Sequence, residues 1–248
     1  MLEIFLAVLA TGLGYTVLGL TGFGSALIIV PVLAWQWPLA LVVPMVLLLD
    51  LPASLFHAGL NRRLVQWQEI LRLLPGMALG MALGLWLSSR LSPHWPMLLL
   101  GLYVVWVGLR ALWQARHPGV VPPERPAAWA HVFGLAIGTV EGLFGTAGPL
   151  VVAWLTGRLH DPLQLRATTP IVMTSAVLIV LGGMALEGRF NEGPILWRAL
   201  GLLPVALGSV WLGHRLAHRI PAQRLRLLIC ALLVASGSTL AVRALGMA

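Results

Sequence analysis

Eight apolar stretches, each long enough to cross a bilayer, leave this chain few choices of fold. They cover residues 1–36, 38–60, 69–90, 94–115, 128–156, 162–187, 194–214 and 222–246. A helix of about 20 apolar residues matches the roughly 30 Å hydrocarbon core of a membrane, and open sheet edges cannot go unpaired in lipid. The predicted fold is an all-α polytopic membrane protein. Composition points the same way, since 59% of the residues are hydrophobic and only 10% are charged, more apolar surface than a soluble core hides. The connections are short, about 2 to 12 residues, which suits a compact bundle.

Sixteen arginines against eight acids give a net charge of +8, and lysine is absent. The arginines gather at segment ends, where they set orientation and meet anionic headgroups. The implied partner is the lipid bilayer, not nucleic acid. Cys230 is the single cysteine, so no internal disulfide can form. Glu3 is the first charge and Arg62 the first arginine, so the start of the chain reads as a spanning segment, not a cleaved signal.

Two of the eight stretches are interrupted by glycine clusters at equivalent places. The first reads Gly19-Leu20-Thr21-Gly22-Phe23-Gly24-Ser25 and the second Gly142-Leu143-Phe144-Gly145-Thr146-Ala147-Gly148-Pro149. The stretches divide four and four across a proline-rich polar linker, residues 116–127, which separates a first repeat, 1–115, from a second, 128–248. At one offset Gly19 and Gly22 fall on Gly142 and Gly145; at a slightly larger one Pro75, Gly84 and Arg90 fall on Pro204, Gly213 and Arg219. If every stretch crossed the membrane, the arginines would divide almost evenly between its faces. If the two interrupted stretches instead enter and leave on one face, all but Arg90, Arg189, Arg198 and Arg243 fall on the linker side. The positive-inside rule prefers that arrangement, with the linker cytoplasmic and the repeats inverted. A helix of about 35 residues would be roughly 50 Å long, whereas two re-entrant arms of about 15 residues would each reach the middle. One tilted, kinked span per half fits the hydropathy as well.

Glycine lets the backbone turn within the membrane and approach a solute closely, and the following half-helix offers amides and partial positive charge to an anion. The candidate binding residues at the tips are therefore Thr21, Gly22, Phe23, Gly24 and Ser25 with Gly145, Thr146 and Gly148. The alternative is close helix packing through small residues. Asp50 and Glu141 are the acids set deepest in apolar sequence, and each must be protonated, paired or face a polar cavity. Both are candidates for proton coupling or gating; Asp50 has a structural alternative beside Pro52. His57 shares a helical face with Asp50 and reads as an interior histidine. His214 and His218 have metal-pair spacing, but no acidic ligand is near in sequence, and no metal or other cofactor is expected. Trp35, Trp37, Trp67, Trp95, Trp113 and Trp197 lie at segment ends, as an aromatic belt does.

These clusters, with Pro31 after the first and Arg166-Ala167-Thr168-Thr169 after the second, resemble the TauE/SafE sulfite exporter family over the whole chain. The resemblance implies a transporter of sulfite, sulfonates or related organosulfur oxyanions in the bacterial inner membrane. Gly24-Ser25-Ala26 and Ala147-Gly148-Pro149 stand where the family often has three glycines. Arg166 either offers an anion a guanidinium or marks the membrane boundary, and Thr168 and Thr169 either ligate the solute or bond back to their own helix.

The function predicted is secondary transport of a small anion, with the proton as candidate coupling ion. An anion channel is the alternative. An intramembrane enzyme is disfavoured because no nucleophile elbow, zinc-protease motif or aspartate pair is present. A homodimer is compatible with the sequence.

Overall fold

The computed structural model describes residues 2–59, 62–92, 94–116, 125–159, 161–188, 190, 195–216 and 222–246. The described elements are helical: α1 (Leu2–Thr21), α2 (Ser25–Leu33), α3 (Leu39–Gly59), α4 (Trp67–Arg90), α5 (His94–Arg116), α6 (Ala130–Phe144), α7 (Gly148–Leu155), α8 (Pro162–Leu186), α9 (Ile195–Leu216) and α10 (Ala222–Leu245). Seven helices are long and apolar enough to cross a membrane among the described residues. The eighth predicted span, α10, meets that description only as a shorter apolar helix over Leu233–Leu245.

Both glycine-interrupted stretches break where the sequence predicts. Gly22 and Gly24 sit at φ 85° and 95° between α1 and α2, and Gly145 sits at φ 65° between α6 and α7. That backbone region is cheap only for glycine. In each case the chain folds back on itself. A side chain at Gly14 would strike Ile29 and the Ser25 carbonyl, and Phe133 meets Trp154 with ring centroids 5.3 Å apart. The Arg125 amide donates to the Gly157 carbonyl at 3.1 Å, so the two ends of the second broken segment adjoin. The arms are unequal, 20 and 9 residues in the first and 15 and 8 in the second, not the two arms of about 15 expected. The glycines that make the turn lie late in each stretch, and they fix where it folds.

Small residues set the packing. Helix α4 lies along α6, with Gly76, Gly80 and Gly84 facing Gly134, Gly138 and Gly142. Helix α1 crosses α9 where Gly19 meets Gly213, and α5 meets α10 at Gly101 and Gly237. In lipid no water drives helices together, so close backbone approach supplies the van der Waals contact that does. Helices α3 and α8 run through the centre, α3 against α9 and α8 against α4.

At one end of the bundle the buried Glu69 carboxylate holds the chain together. Its Oε1 accepts from Arg72 at 2.6 Å and from Arg158 at 3.1 Å, while Arg158 also donates to the Arg125 carbonyl at 3.0 Å. The start of α4 is thereby tied to both ends of the second broken segment. Elsewhere guanidinium groups lie over tryptophan rings, Arg198 on Trp37 and Arg215 on Trp211.

Candidate functional site

The two breaks meet in the interior. Phe23, at the tip of the first, lies against Gly148, at the tip of the second, where a side chain would come within 3.1 Å of its ring. Between them is a small cavity. The first break contributes Gly22, Phe23, Gly24, Ser25 and Ala26, and the second contributes Thr146 and Gly148. Leu18 and the central helices complete it, with Asp50 and Ser54 from α3 and Met173 and Val177 from α8. Helices α2 and α7 both begin at this cavity, α2 at Ser25 and α7 at Gly148. Amides in the first turn of a helix have no carbonyl one turn back to bond, so both ends present partial positive charge here.

Asp50 is the one titratable residue lining the cavity among the described residues. It is buried, and its Oδ1 accepts from the Ser25 hydroxyl at 2.7 Å, which joins α3 to the start of α2. The Tyr15 hydroxyl lies close by. No arginine or histidine lines the cavity among the described residues.

Glu141 stands behind the second tip. It is fully buried, and its Oε2 accepts from the Ala147 amide at 2.6 Å. Ala147 is the N-cap of α7, so the carboxylate spans the break and fixes the approach of α7 to α6. Its Oε1 has no partner among the described residues. Truncation should therefore loosen the second tip. Glu141→Ala is expected to cost about 2 kcal/mol, measured as lower melting temperature in detergent, and Glu141→Gln, whose carbonyl can still accept the amide, to recover most of it. Equal losses in the two variants would show that the amide bond does not hold the break.

The remaining predicted site residues divide. Gly22, Phe23, Gly24, Ser25, Thr146 and Gly148 reach the cavity, and Gly145 forms the turn beside it. The Thr21 hydroxyl instead donates to Val17 and Phe23 carbonyls at 2.9 and 2.7 Å, bracing the first break from within. Thr168 accepts from the Gln66 amide at 3.1 Å, and Thr169 donates to the Leu165 carbonyl at 2.8 Å, back along its own helix. Arg166 occurs in α8 seven residues before Met173, about 10 Å of helical rise; its side chain lies outside the described residues, as does His218. Gly19 and Gly142 serve helix packing, so each cluster combines a packing glycine with turn glycines. Sequence reasoning missed Ser54, although four residues separate it from Asp50 on one helical face. Met173 and Val177 carried no signal, for they read as ordinary core.

Comparison with known proteins follows the same lines. Residues 5–240 match the family described as "Sulfite exporter TauE/SafE". The chain is 43% identical over 197 residues to the "Probable inner membrane transporter protein TsaS" of Comamonas testosteroni, covering 79% of this chain and 81% of that one. It is 25% identical over 246 residues to the "Probable sulfite/organosulfonate exporter TauE" of Cupriavidus necator, covering 97% and 90%. No solved structure matches. With its membrane-spanning helices and these relatives, the chain is a multi-pass protein of the bacterial inner membrane, and it belongs to the sulfite exporter TauE/SafE family of membrane transporters.

Proposed function

We propose that this protein is a secondary transporter of a small sulfur oxyanion, sulfite or an organic sulfonate, which binds between the two helix breaks together with a proton on Asp50. The observation that carries this reading is the meeting of two helix N-termini, three hydroxyls and one buried carboxyl at a single interior cavity. Amides and the hydroxyls of Ser25 and Thr146 suit an oxyanion. A carboxylate does not. Two negative charges about 4 Å apart repel by ~4 kcal/mol at an effective dielectric of about 20, so an anion enters when Asp50 is protonated. Affinity then falls as pH rises, and anion and proton travel together. Glu141 holds the second break in shape as a gating element. Thr168 and Thr169, bonded to the Gln66 amide and to their own helix, belong to the approach along α8 and not to the cavity itself.

An inverted repeat supplies the moving parts. The offset that lays Gly22 on Gly145 also lays Ser25 on Gly148, Asp50 on Met173 and Ser54 on Val177, all of them around the cavity except Gly145. The Gly19 and Gly213 contact has its counterpart in that of Gly142 and Gly84. This pattern supports two halves, 1–115 and 128–248, related by a pseudo-two-fold axis through the site, with the broken segments re-entrant and the linker cytoplasmic. Rocking of one part against the other would expose the cavity to each side in turn.

The test is thermal stabilisation of the purified protein by sulfite, sulfate, methanesulfonate and acetate. Sulfite or methanesulfonate should raise the melting temperature, and Ser25→Ala and Thr146→Val should each weaken the effect by roughly 10-fold in half-saturating concentration. Stabilisation that ignores both substitutions would place the anion elsewhere.

A further inference from the structure

Asp50, Ser54 and His57 follow one another along α3 at spacings of four and three residues, which puts them on one helical face. All three are buried. Asp50 and Ser54 line the cavity, and His57 continues the stripe beyond it. Its Nε2 lies 3.3 Å from the Gly19 carbonyl, and its ring meets that of His214 edge to face with centroids 5.9 Å apart. His214 is half-buried in the last turn of α9, so the stripe runs from the cavity to one end of the bundle.

The other half lacks this stripe. The offsets that relate the two halves lay His57 on Val180 and His214 on Leu85, with Met173 and Val177 in place of Asp50 and Ser54. Val180 and Leu85 belong to the buried apolar core. Among the described residues, the polar stripe along α3 therefore has no counterpart at the equivalent positions of the other half. Two neighbouring helices bring polar groups to His57 among the described residues. Helix α9 contributes His214, whose neighbour Arg215 stacks on Trp211. Helix α1 contributes the Gly19 carbonyl, with Tyr15 beside Asp50. Helix α2 has no titratable residue, and the one in α8 is Arg166.

We propose that His57 and His214 form a proton relay between Asp50 and the end of the bundle where α9 terminates, an inference that rests on Asp50 as the proton carrier. A carbonyl can only accept, so neutral His57 holds its proton on Nε2 and keeps Nδ1 as the basic nitrogen. A hydronium ion at that end protonates His214 and leaves as water; transfer to Nδ1 of His57 forms its imidazolium and returns His214 to neutral. Passage across the Ser54 hydroxyl to the Asp50 carboxylate then restores neutral His57. Only protons move, and each group ends as it began except Asp50, which is protonated.

Two measurements test the relay. In the full chain carrying 15N-histidine, with signals assigned from His57→Gln and His214→Gln, both rings should titrate between about pH 5 and 9. His214→Gln and Asp50→Asn should each move the His57 midpoint by about one pH unit. A His57 ring that stays in one state, or a midpoint that ignores both substitutions, overturns the relay. In proteoliposomes, His57→Gln and His214→Gln should slow pH-gradient-driven uptake of sulfite or methanesulfonate roughly 10-fold or more, while exchange without a gradient falls far less. Equal loss in both modes would make the histidines merely structural. If neither solute moves in the unsubstituted protein, the oxyanion assignment fails, and the titration still decides the relay.

Discussion

Gly80→Leu is expected to prevent accumulation of folded protein, and Gly80→Ala to lower stability by about 2–3 kcal/mol or more. Gly80 stands midway along the contact of α4 with α6, and a Cβ there would collide with the carbonyl oxygen, carbonyl carbon and Cα of Leu135. All three are backbone atoms, so no side chain can turn aside to make room. The helices must separate, and the loss spreads to the Gly76 and Gly84 contacts on either side. Gly201 and Gly208 lie in α9 with open space where a side chain would go, and Gly201→Ala or Gly208→Ala should be tolerated. Melting curves and size-exclusion profiles in detergent distinguish the cases. A Gly80→Ala protein that melts with the unsubstituted one would mean that α4 and α6 do not meet as described.

Asp50→Asn should remove the pH dependence of anion binding. An amide has the shape of the protonated acid and no charge to repel a solute, and its oxygen can still accept from Ser25, whose hydroxyl lies 2.7 Å away. Binding in the unsubstituted protein should weaken about 10-fold for each pH unit above the point where Asp50 ionises. The sign follows from the charge: the anion-bound state holds one more proton, so raising pH opposes it. Binding to Asp50→Asn should stay level across the same range, while transport driven by a proton gradient falls about 100-fold. Glu141→Gln should keep the pH dependence. If that substitution abolished it while Asp50→Asn did not, the two acids would exchange roles.

The span positions were legible in the sequence because apolar length alone marks a membrane helix. The observed ends of α3, α4, α5, α8 and α9 fall within about two residues of the apolar stretches. The breaks were legible too, for a left-handed turn inside lipid requires glycine. What the sequence withheld is partnership between distant residues. Ser25 with Asp50, Gln66 with Thr168, and Glu69 with Arg158 are separated by 25, 102 and 89 positions, and no local pattern announces such pairs. Thr21 and Ser25 look alike as tip hydroxyls, yet one turns to its own backbone and the other to the cavity. Within each cluster, nothing in the residue type separates the glycine that packs from the glycine that turns.

The most direct test is uptake of 35S-sulfite into proteoliposomes that contain a pH-sensitive dye, with solute and proton counted together. The expected result is saturable uptake with one proton entering per sulfite in the unsubstituted protein, and none of that proton movement in Asp50→Asn. Uptake that does not saturate, or that proceeds with no proton and is indifferent to Asp50, would contradict a carrier whose cavity binds the anion and the proton as one load.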